Sequence, residues 1–331
     1  MAEDRSQPSP AVVDYDSGFD YPGFWDNRGY ERWVEDRVLR RLLRRLPRAQ
    51  WFADFGGGFG RNAAHYRQVA PRVLLVDYSV TNLSQAAERL RDQIARGQVF
   101  LVRSDLAHLP LVAGAVETAM VVRVLHHLTE PEAALAEMAR SVGRAWLLDV
   151  PIKHHLLARL RAARSRGQGQ LLRSPAPLVT GSTAYPFYTF QLGWIRRRLA
   201  AAGFSSEVSA SVNNFRRWDQ LLPARAVPLL RPLVYPSELA LQRLGRGWWG
   251  PSQFLLARRS TPLRPQLHDL ASAASEPLRE LSRRLCCPSC RGGLVWRPDR
   301  AACPGCQVEY PRQDAFWDFT PRSRAEASQA E

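Results

Sequence analysis

The stretch that decides the fold is WFADFGGGFGRN, residues 51–62, in which a short apolar run leads directly into four glycines. Glycine lets the chain turn tightly and lets a ligand touch bare backbone. The next residues, RNAAHYRQVA, predict a helix, whose N-terminus would offer unpaired N–H groups to an anionic ligand. Ligands of open α/β sheets bind at the carboxyl ends of the strands. We therefore predict a ligand site at this turn.

Outward from this turn, short apolar runs alternate with helical segments. The first five runs are continuously apolar rather than alternating, as in strands that are covered on both faces. The predicted strands are WFADF, RVLLVD, VFLVRSD, TAMVVRV, AWLLDV, SSEVSASVNNF and SQFLLARR. Strand–helix alternation at this spacing predicts an α/β fold with a doubly wound, parallel, Rossmann-like sheet of seven strands.

The spacing of the glycines narrows the choice of ligand. A dinucleotide fingerprint fits only as a variant that uses Gly58, Gly60 and Ala63, so spacing alone leaves NAD open. The better match is D-x-G-x-G-x-G, formed by Asp54, Gly56, Gly58 and Gly60. This pattern resembles motif I of the class I S-adenosylmethionine-dependent methyltransferases.

Three later motifs extend this resemblance over about residues 20–260. They are VLLVD, which ends in Asp77; VRSDLAHLPL, with Asp105 and Leu106; and VVRVLHHL, with His126 and His127. The last is similar to the signature of the type 11 branch that contains quinone-biosynthesis C-methyltransferases. The resemblance implies S-adenosylmethionine as cofactor, with Asp54 and the three motif glycines in its site. It also implies that Asp77 accepts both ribose hydroxyls and that Asp105 and the Leu106 backbone contact adenine.

The two neighbouring histidines are the candidate catalytic residues. The sulfonium activates the methyl group, so the protein mainly aligns the reactants and excludes water. A general base is needed only if the acceptor arrives protonated. His126 or His127 could act as that base, or either could only brace the loop.

A second motif lies in CCPSCRGGLVWRPDRAACPGC, residues 286–306. The spacing C-x2-C-x12-C-x2-C predicts a closed, structural zinc site. Its ligands would be Cys287, Cys290, Cys303 and Cys306, with Cys286 as a bystander. Disulfides are the alternative, but nothing indicates an oxidising compartment. The segment resembles the small zinc-ribbon activator of tRNA and release-factor methyltransferases, although Ala315 stands where that module has glycine.

These features divide the chain into four parts. We predict a polar tail at residues 1–20, a methyltransferase domain at 21–260 with an insertion at 151–190, a linker at 261–283 and a zinc ribbon at 284–320. The insertion would wall the acceptor pocket, with aromatic sides from FDYPGFW and AYPFYTF. Its helix would pack on the domain through an apolar stripe, which consists of Leu156, Leu157, Leu160 and Ala163.

Composition leaves the partner open. The net charge is +15, but Lys153 is the only lysine, and such arginine bias is expected of a GC-rich genome. No apolar run approaches the length of a membrane span, and the polar N-terminus is unlike a signal peptide, so we expect a cytoplasmic protein. The sequence favours no particular oligomeric state.

Three functions fit the motifs. The favoured one is methylation of a small-molecule or lipid-like metabolite. The alternative is an rRNA or tRNA methyltransferase, with the ribbon and the basic insertion on phosphates; the basic residues are Lys153, Arg159, Arg161, Arg164 and Arg166. It is not favoured, because VRVL stands where base-amino methylases carry an N-P-P-Y-type tetrad. A non-enzymatic zinc-ribbon scaffold is the third, and the intact motif I disfavours it.

Overall fold

A computed structural model describes residues 21–26, 28–165, 168–181, 186–223, 225–268 and 276–320. The predicted polar tail and Arg166 lie outside these residues. The strands are β1 (Trp51–Phe55), β2 (Arg72–Asp77), β3 (Val99–Arg103), β4 (Val116–Val121), β5 (Val142–Pro151), β6 (Leu178–Gly181), β7 (Pro186–Thr189), β8 (Phe204–Val212), β9 (Ser252–Arg259), β10 (Val295–Trp296), β11 (Arg300–Cys303), β12 (Val308–Gln313) and β13 (Phe316–Asp318).

The helices lie between and around these strands. They are α1 (Tyr21–Phe24), α2 (Gly29–Leu43), α3 (Val80–Arg89), α4 (Arg91–Ala95), α5 (Pro131–Ser141), α6 (Leu156–Arg164), α7 (Gln168–Arg173), α8 (Leu192–Ala201), α9 (Trp218–Leu221), α10 (Val227–Leu244) and α11 (Glu276–Ser282). Two 3₁₀ helices span Ala63–Gln68 and Leu125–His127. No helix in the described part of the chain combines the length and the apolar character needed to cross a bilayer.

The main sheet is mixed and has the order β10-β11-β12-β13-β3-β2-β1-β4-β5-β9-β8. Strands β1 to β5 are parallel, as predicted. The prediction of a wholly parallel sheet is wrong at one edge, because β9 runs antiparallel to both of its neighbours, β5 and β8. Seven neighbouring strands of this sheet, in the order β3-β2-β1-β4-β5-β9-β8, are the predicted ones. The predicted strand count is too low, because β13 of the cysteine segment pairs in parallel with β3 and extends the sheet. Without β13, the backbone groups along one side of β3 would have no strand partner.

Both faces of the sheet are covered, which confirms the doubly wound architecture. Trp51 and Phe55 of β1 belong to one apolar cluster, together with residues of α5 and α8. Phe52 belongs to a second cluster, together with residues of α2 and α3. All five residues of β1 are buried, so the glycine turn follows from the centre of the molecule.

Two predicted helical features are wrong. The segment after the glycines forms only the short 3₁₀ helix Ala63–Gln68, because Pro71 and the start of β2 at Arg72 leave it little length. The apolar stripe of α6 is not packed on the domain: Leu157 is 54% exposed and Leu160 is 48% exposed. The predicted linker contains α11, and its Leu263 N–H donates to Gly143 O at 2.9 Å. The domain boundaries stay predictions, since the sheet continues across them.

Candidate cofactor and acceptor site

The glycine turn after β1 has the geometry that its sequence predicts. Gly56, Gly58 and Gly60 have φ values of 69°, 54° and 73°, in the left-handed region that favours glycine. A Cβ on Gly56 would collide with Val124 Cγ2 in the loop after β4. The N–H groups of Gly56 and Gly57 both donate to Val76 O, at 2.7 and 3.1 Å. These bonds fix the turn against the end of β2.

Asp77 ends β2 beside this turn. Its Oδ2 accepts from the Gly58 N–H at 2.8 Å, and its Oδ1 accepts from the Ser79 N–H at 3.1 Å. Burial raises the pKa of Asp77, and the two backbone hydrogen bonds oppose that rise because they favour the ionised form. The carboxylate is therefore held at the carboxyl edge of the sheet in a fixed orientation.

A cavity at this edge brings together most of the predicted cofactor residues. Its lining includes Gly56, Gly58, Asp77, Asp105, Leu106 and His127. Gly57, Asn82 and Arg123 also line it and were not predicted. Asp105 Oδ1 accepts from the Ala107 N–H at 2.9 Å, so the loop after β3 holds its own carboxylate in place. Two neighbouring carboxylates, Asp77 and Asp105, thus face one cavity.

Two residues of the predicted motif do not line this cavity. Asp54 is 1% exposed and lies behind the glycine turn, where Tyr66 Oη donates to its Oδ2 at 2.6 Å. Burial raises its pKa to about 7, and the nearby charges of Asp77 and Glu35 add to that rise. A Cβ on Gly60 would lie 2.9 Å from Leu90 Cδ1, which gives Gly60 a packing role.

A second cavity, of about 450 Å³, adjoins the first. The two cavities share Arg123 and His127 in their linings. The second is also lined by Phe24, Phe187, His126, His155, Asp149 and Arg216, among others. Phe24 and Phe187 come from the two aromatic stretches predicted to flank an acceptor pocket. The predicted candidate base His126 therefore lies in the second cavity alone, and His127 lies at the junction.

The histidines of the second cavity are uncharged at neutral pH. Burial lowers the pKa of His127 to about 4, and it lowers that of His126 well below the usual 6.5. His127, Arg123 and Arg216 lower the pKa of His126 further, because they disfavour another positive charge. The His126 ring lies against Phe187, with the ring centroids 4.6 Å apart. Both side chains present neutral imidazole to the cavity.

Asp149, near the carboxyl end of β5, is a site residue that the sequence reasoning missed. It is 7% exposed, it accepts from the Ser252 hydroxyl, and its Oδ2 accepts from the Arg123 N–H at 3.3 Å. Burial raises its pKa to about 6. The available signal was an acidic residue near the end of the apolar run AWLLDV.

An ion-pair network joins helix α2 to the junction of the cavities. Arg123, at φ 59°, donates from Nε to Glu35 Oε2 at 2.6 Å, and Arg61 pairs with the same carboxylate. Burial alone would lower the pKa of Arg123, but Glu35 and Glu31 raise it above its usual value. The centroid of the Trp25 ring lies 3.8 Å from the guanidinium carbon of Arg61 and 4.6 Å from that of Arg123. Sequence patterns gave no sign of this long-range network.

The four predicted zinc ligands converge. The Sγ atoms of Cys287, Cys290, Cys303 and Cys306 lie within 4.8 Å of one another. Cys287 and Cys306 are 3.9 Å apart at sulfur, and Cys290 and Cys303 are 3.5 Å apart. Four thiols at this spacing fit a tetrahedral ion such as zinc. Cys286 is buried and lies outside the cluster.

The cysteine segment is tied to the loop that follows β3. Arg291 Nη1 donates to Leu109 O at 2.6 Å, and the Cys286 N–H donates to Pro110 O at 2.9 Å. Arg291 Nη2 also pairs with Glu137 Oε2 at 2.8 Å. Asp105 lies only four residues before Leu109, so this segment supports one wall of the first cavity.

Comparison with protein families agrees with this geometry. Residues 53–144, which run from β1 to the start of β5, match the family model described as a methyltransferase domain. The chain therefore carries a methyltransferase domain at residues 53–144. It is accordingly an enzyme of the transferase class, and both the glycine turn and Asp105 lie within the matched segment. A search of curated proteins found no match.

Many solved structures are similar to the methyltransferase domain. One is a possible histamine N-methyltransferase from Thermotoga maritima, with 18% identity, TM-score 0.47, and coverage of 72% of this chain and 95% of that one. Another is magnesium protoporphyrin IX methyltransferase from Synechocystis, with 19% identity, TM-score 0.45, and coverage of 72% and 97%. A third is 1,6-didemethyltoxoflavin-N1-methyltransferase from Burkholderia thailandensis, with 16% identity, TM-score 0.44, and coverage of 72% and 83%.

Proposed function

We propose that the protein transfers a methyl group from S-adenosylmethionine in the first cavity to a small-molecule or lipid-like metabolite in the second. The observation that carries this proposal is the junction of the cavities at Arg123 and His127. A molecule in the second cavity would meet a cofactor in the first without crossing solvent. Exclusion of water and alignment of the reactants are the main contributions that a methyltransferase makes.

The first cavity has the donors and acceptors that the cofactor needs. Asp77 would accept the ribose hydroxyls, and Asp105 with the Leu106 N–H would hold adenine. The backbone of Gly56–Gly58 would approach the rest of the molecule closely, since a Cβ at Gly58 would meet nothing nearer than 4.0 Å. When bound, S-adenosylmethionine supplies a methyl group already activated by its sulfonium. The protein's own residues then need only position the acceptor and manage its proton.

The second cavity offers both apolar walls and unsatisfied polar atoms. Phe24 and Phe187 form aromatic walls. Asn213 Oδ1 and His155 Nδ1 are buried and have no hydrogen-bond partner among the described residues. Buried polar groups are normally paired, so these two atoms would pair with the acceptor. The acceptor is therefore a molecule with an extended apolar part and a polar head, as the VVRVLHHL signature of the quinone branch also suggests.

Within this proposal, Asp149 is the group that receives the acceptor's proton. With a pKa of about 6, its carboxylate is mostly ionised at neutral pH and still basic enough to take a proton. His127, with a pKa of about 4, would be a weaker base. We assign His126 and His127 to positioning, against Phe187 and at the junction of the cavities.

The cysteine cluster is proposed to hold one structural zinc ion. All four ligands come from one segment, so no coordination position is left open for chemistry. The ion would fix the turns that carry the cysteines. Two residues beside these turns, Arg291 and Cys286, donate hydrogen bonds to Leu109 O and Pro110 O.

The RNA alternative has less support. Lys153, one of its proposed phosphate ligands, is buried, and its Nζ donates to Leu171 O at 2.9 Å and to Ala176 O at 2.7 Å. This lysine therefore holds the insertion together. Arg159, Arg161 and Arg164 are exposed and remain available for phosphates.

The test supplies methyl-tritiated S-adenosylmethionine to the purified protein with a cell extract and follows the label. We expect counts in the solvent-extractable fraction that resist ribonuclease. Counts in RNA that ribonuclease releases would overturn the proposal in favour of the RNA alternative. Asp77→Ala serves as the control with weakened cofactor binding, and the surface variant Asp92→Ala serves as its matched control.

A further inference from the structure

Helix α10 presents an apolar side to solvent and a polar side to the protein. Leu229, Leu233 and Leu244 are 79%, 67% and 73% exposed, and their spacing places them on one side of the helix. On the opposite side, Glu238 and Gln242 are fully buried. This is the reverse of the usual arrangement in a surface helix.

The polar side anchors the helix firmly. Tyr30 Oη donates to Glu238 Oε2 at 2.6 Å, and the Asn214 N–H donates to the same atom at 3.0 Å. The Tyr235 ring stacks on Trp33 with the centroids 4.0 Å apart. Because these contacts fix the inner side, the leucines cannot turn inward. Their exposure is built into the fold.

The exposed apolar residues continue past the end of α10. Trp248 is 41% exposed, and its Nε1 donates to Leu244 O at 3.2 Å. The next residue, Trp249, accepts from the Leu156 N–H at the start of α6. We call Leu229, Leu233, Leu244 and Trp248 the α10 face. It ends beside the segment that carries His155, which lines the second cavity.

Charge around the α10 face is one-sided. Residues 150–275 contain 18 basic and four acidic residues. Of the four, Glu207 pairs with Arg45 at the other end of β8, Asp219 accepts from the Tyr30 N–H, and Glu238 is buried. The fourth, Asp269, lies outside the described residues. The arginines in and beside α10 are exposed, namely Arg225, Arg231, Arg243 and Arg246.

We propose that the α10 face docks on the surface of a membrane that contains anionic lipids. Exposed leucines and a tryptophan flanked by arginines are what an interfacial helix uses: the apolar side enters the acyl boundary and the cations meet the lipid phosphates. A second copy of the chain would place arginines against arginines without facing carboxylates. RNA would use the arginines and leave the leucines in water.

The α10 face would also give the proposed acceptor a route from the membrane to the second cavity. This step rests on the proposed function. A lipid-like molecule that leaves the bilayer near Trp248 would arrive next to the wall of the second cavity. Docking itself does not depend on methyl transfer, so the two ideas can fail separately.

The test is co-sedimentation of the full chain with vesicles. Phosphatidylcholine vesicles containing phosphatidylglycerol are compared with vesicles of phosphatidylcholine alone. We expect about ten-fold or stronger partitioning to the anionic vesicles, and a comparable loss in a Leu229→Ser/Leu233→Ser/Leu244→Ser variant. The matched control is Val295→Ser/Val308→Ser, which removes exposed apolar residues from the opposite end of the sheet. S-adenosylhomocysteine affinity should be unchanged in both variants.

Three outcomes would overturn the docking proposal. One is equal, weak sedimentation with both vesicle types. Another is RNA binding that is salt-dependent and indifferent to the leucine substitutions. The third is a dimer in solution that the leucine variant converts to a monomer. Vesicle binding with no methyl-tritium label in the lipid extract would contradict only the proposed acceptor class. It would leave the docking proposal supported.

Discussion

The two sides of the main sheet differ in how much apolar surface they leave exposed to solvent. At the β3 edge, the cysteine segment adds β13 and buries Phe316, Trp317 and Phe319 against the sheet. On the far side, helix α10 and the insertion leave leucines in solvent. The cofactor cavity lies nearer the covered edge, and the second cavity lies nearer the exposed one. On the proposed function, the cofactor cavity lies beside the covered edge of the sheet, and the proposed acceptor cavity lies beside apolar surface that is open to a partner.

The largest effect is expected from breaking the cysteine cluster. Cys290→Ser should release the zinc, unfold the C-terminal segment and expose β3, because structural zinc sites contribute folding free energy directly. Since the segment also bonds Leu109 and Pro110, S-adenosylhomocysteine affinity should fall by about a hundred-fold or more. Metal analysis of the wild type should give one zinc per chain. Val295→Ser, on the same segment, should keep both metal and affinity. Unchanged cofactor affinity in metal-free Cys290→Ser would show that the covered edge does not support the site.

Asp149, the proposed proton acceptor, gives the next largest effect. Asp149→Asn should lower the methylation rate by about 10²-fold or more, since general bases contribute that much. In the wild type, the rate should rise with pH through about 6, because only ionised Asp149 accepts a proton. The variant should lose that inflection. An inflection near pH 4 that persists in Asp149→Asn would reassign the role to His127.

A smaller effect should follow from loosening one contact at the covered edge. Arg291→Ala removes the bonds to Leu109 O and Glu137 without touching a cysteine. Charge-assisted hydrogen bonds of this kind contribute about 1.5–3 kcal/mol. Part of that should appear as a several-fold weaker S-adenosylhomocysteine affinity at full zinc content. Arg300→Ala, on the outer side of the same segment, is the matched control.

The last effect is on stability rather than on binding or rate, and it concerns the carboxyl group beneath the glycine turn. Asp54 has a raised pKa of about 7, so the folded state keeps a proton that the unfolded state loses from about pH 4 upward. Wild-type stability should therefore decline relative to Asp54→Asn as pH rises from 4 to 7, by at most about 1.4 kcal/mol per pH unit. Urea unfolding across this range is the measurement. Parallel curves for the two proteins would mean that Asp54 does not hold that proton.

The sequence predicts features that depend on neighbouring residues, such as the glycine turn and the cysteine cluster. It does not predict contacts between residues that are far apart in the chain. The positive φ of Gly56, Gly58 and Gly60 follows from a strand that must turn at once, and four cysteines at ribbon spacing converge. The inward position of Asp54 depends on Tyr66, which no motif indicates. The pairing of β13 with β3 joins segments more than 200 residues apart in the chain.

The α10 face shows the same limit. A helix rich in leucine predicts a buried apolar side, but Glu238 is held inside by Tyr30, which lies 208 residues earlier in the chain. The network of Arg123 with Glu35 likewise depends on where α2 packs. Charged residues buried by distant partners are the part of this site that sequence periodicity does not predict.

The most direct test of the central claim is calorimetric titration of the zinc-loaded protein with S-adenosylhomocysteine. We predict binding with micromolar or tighter affinity, no comparable binding of NADH, and at least ten-fold weaker binding by Asp77→Ala, because its carboxylate would accept two ribose hydroxyls at about 1.5–3 kcal/mol each. Asp92→Ala should bind as the wild type does. Absence of binding to folded protein, or tight binding of NADH in its place, would contradict the assignment of the first cavity to S-adenosylmethionine.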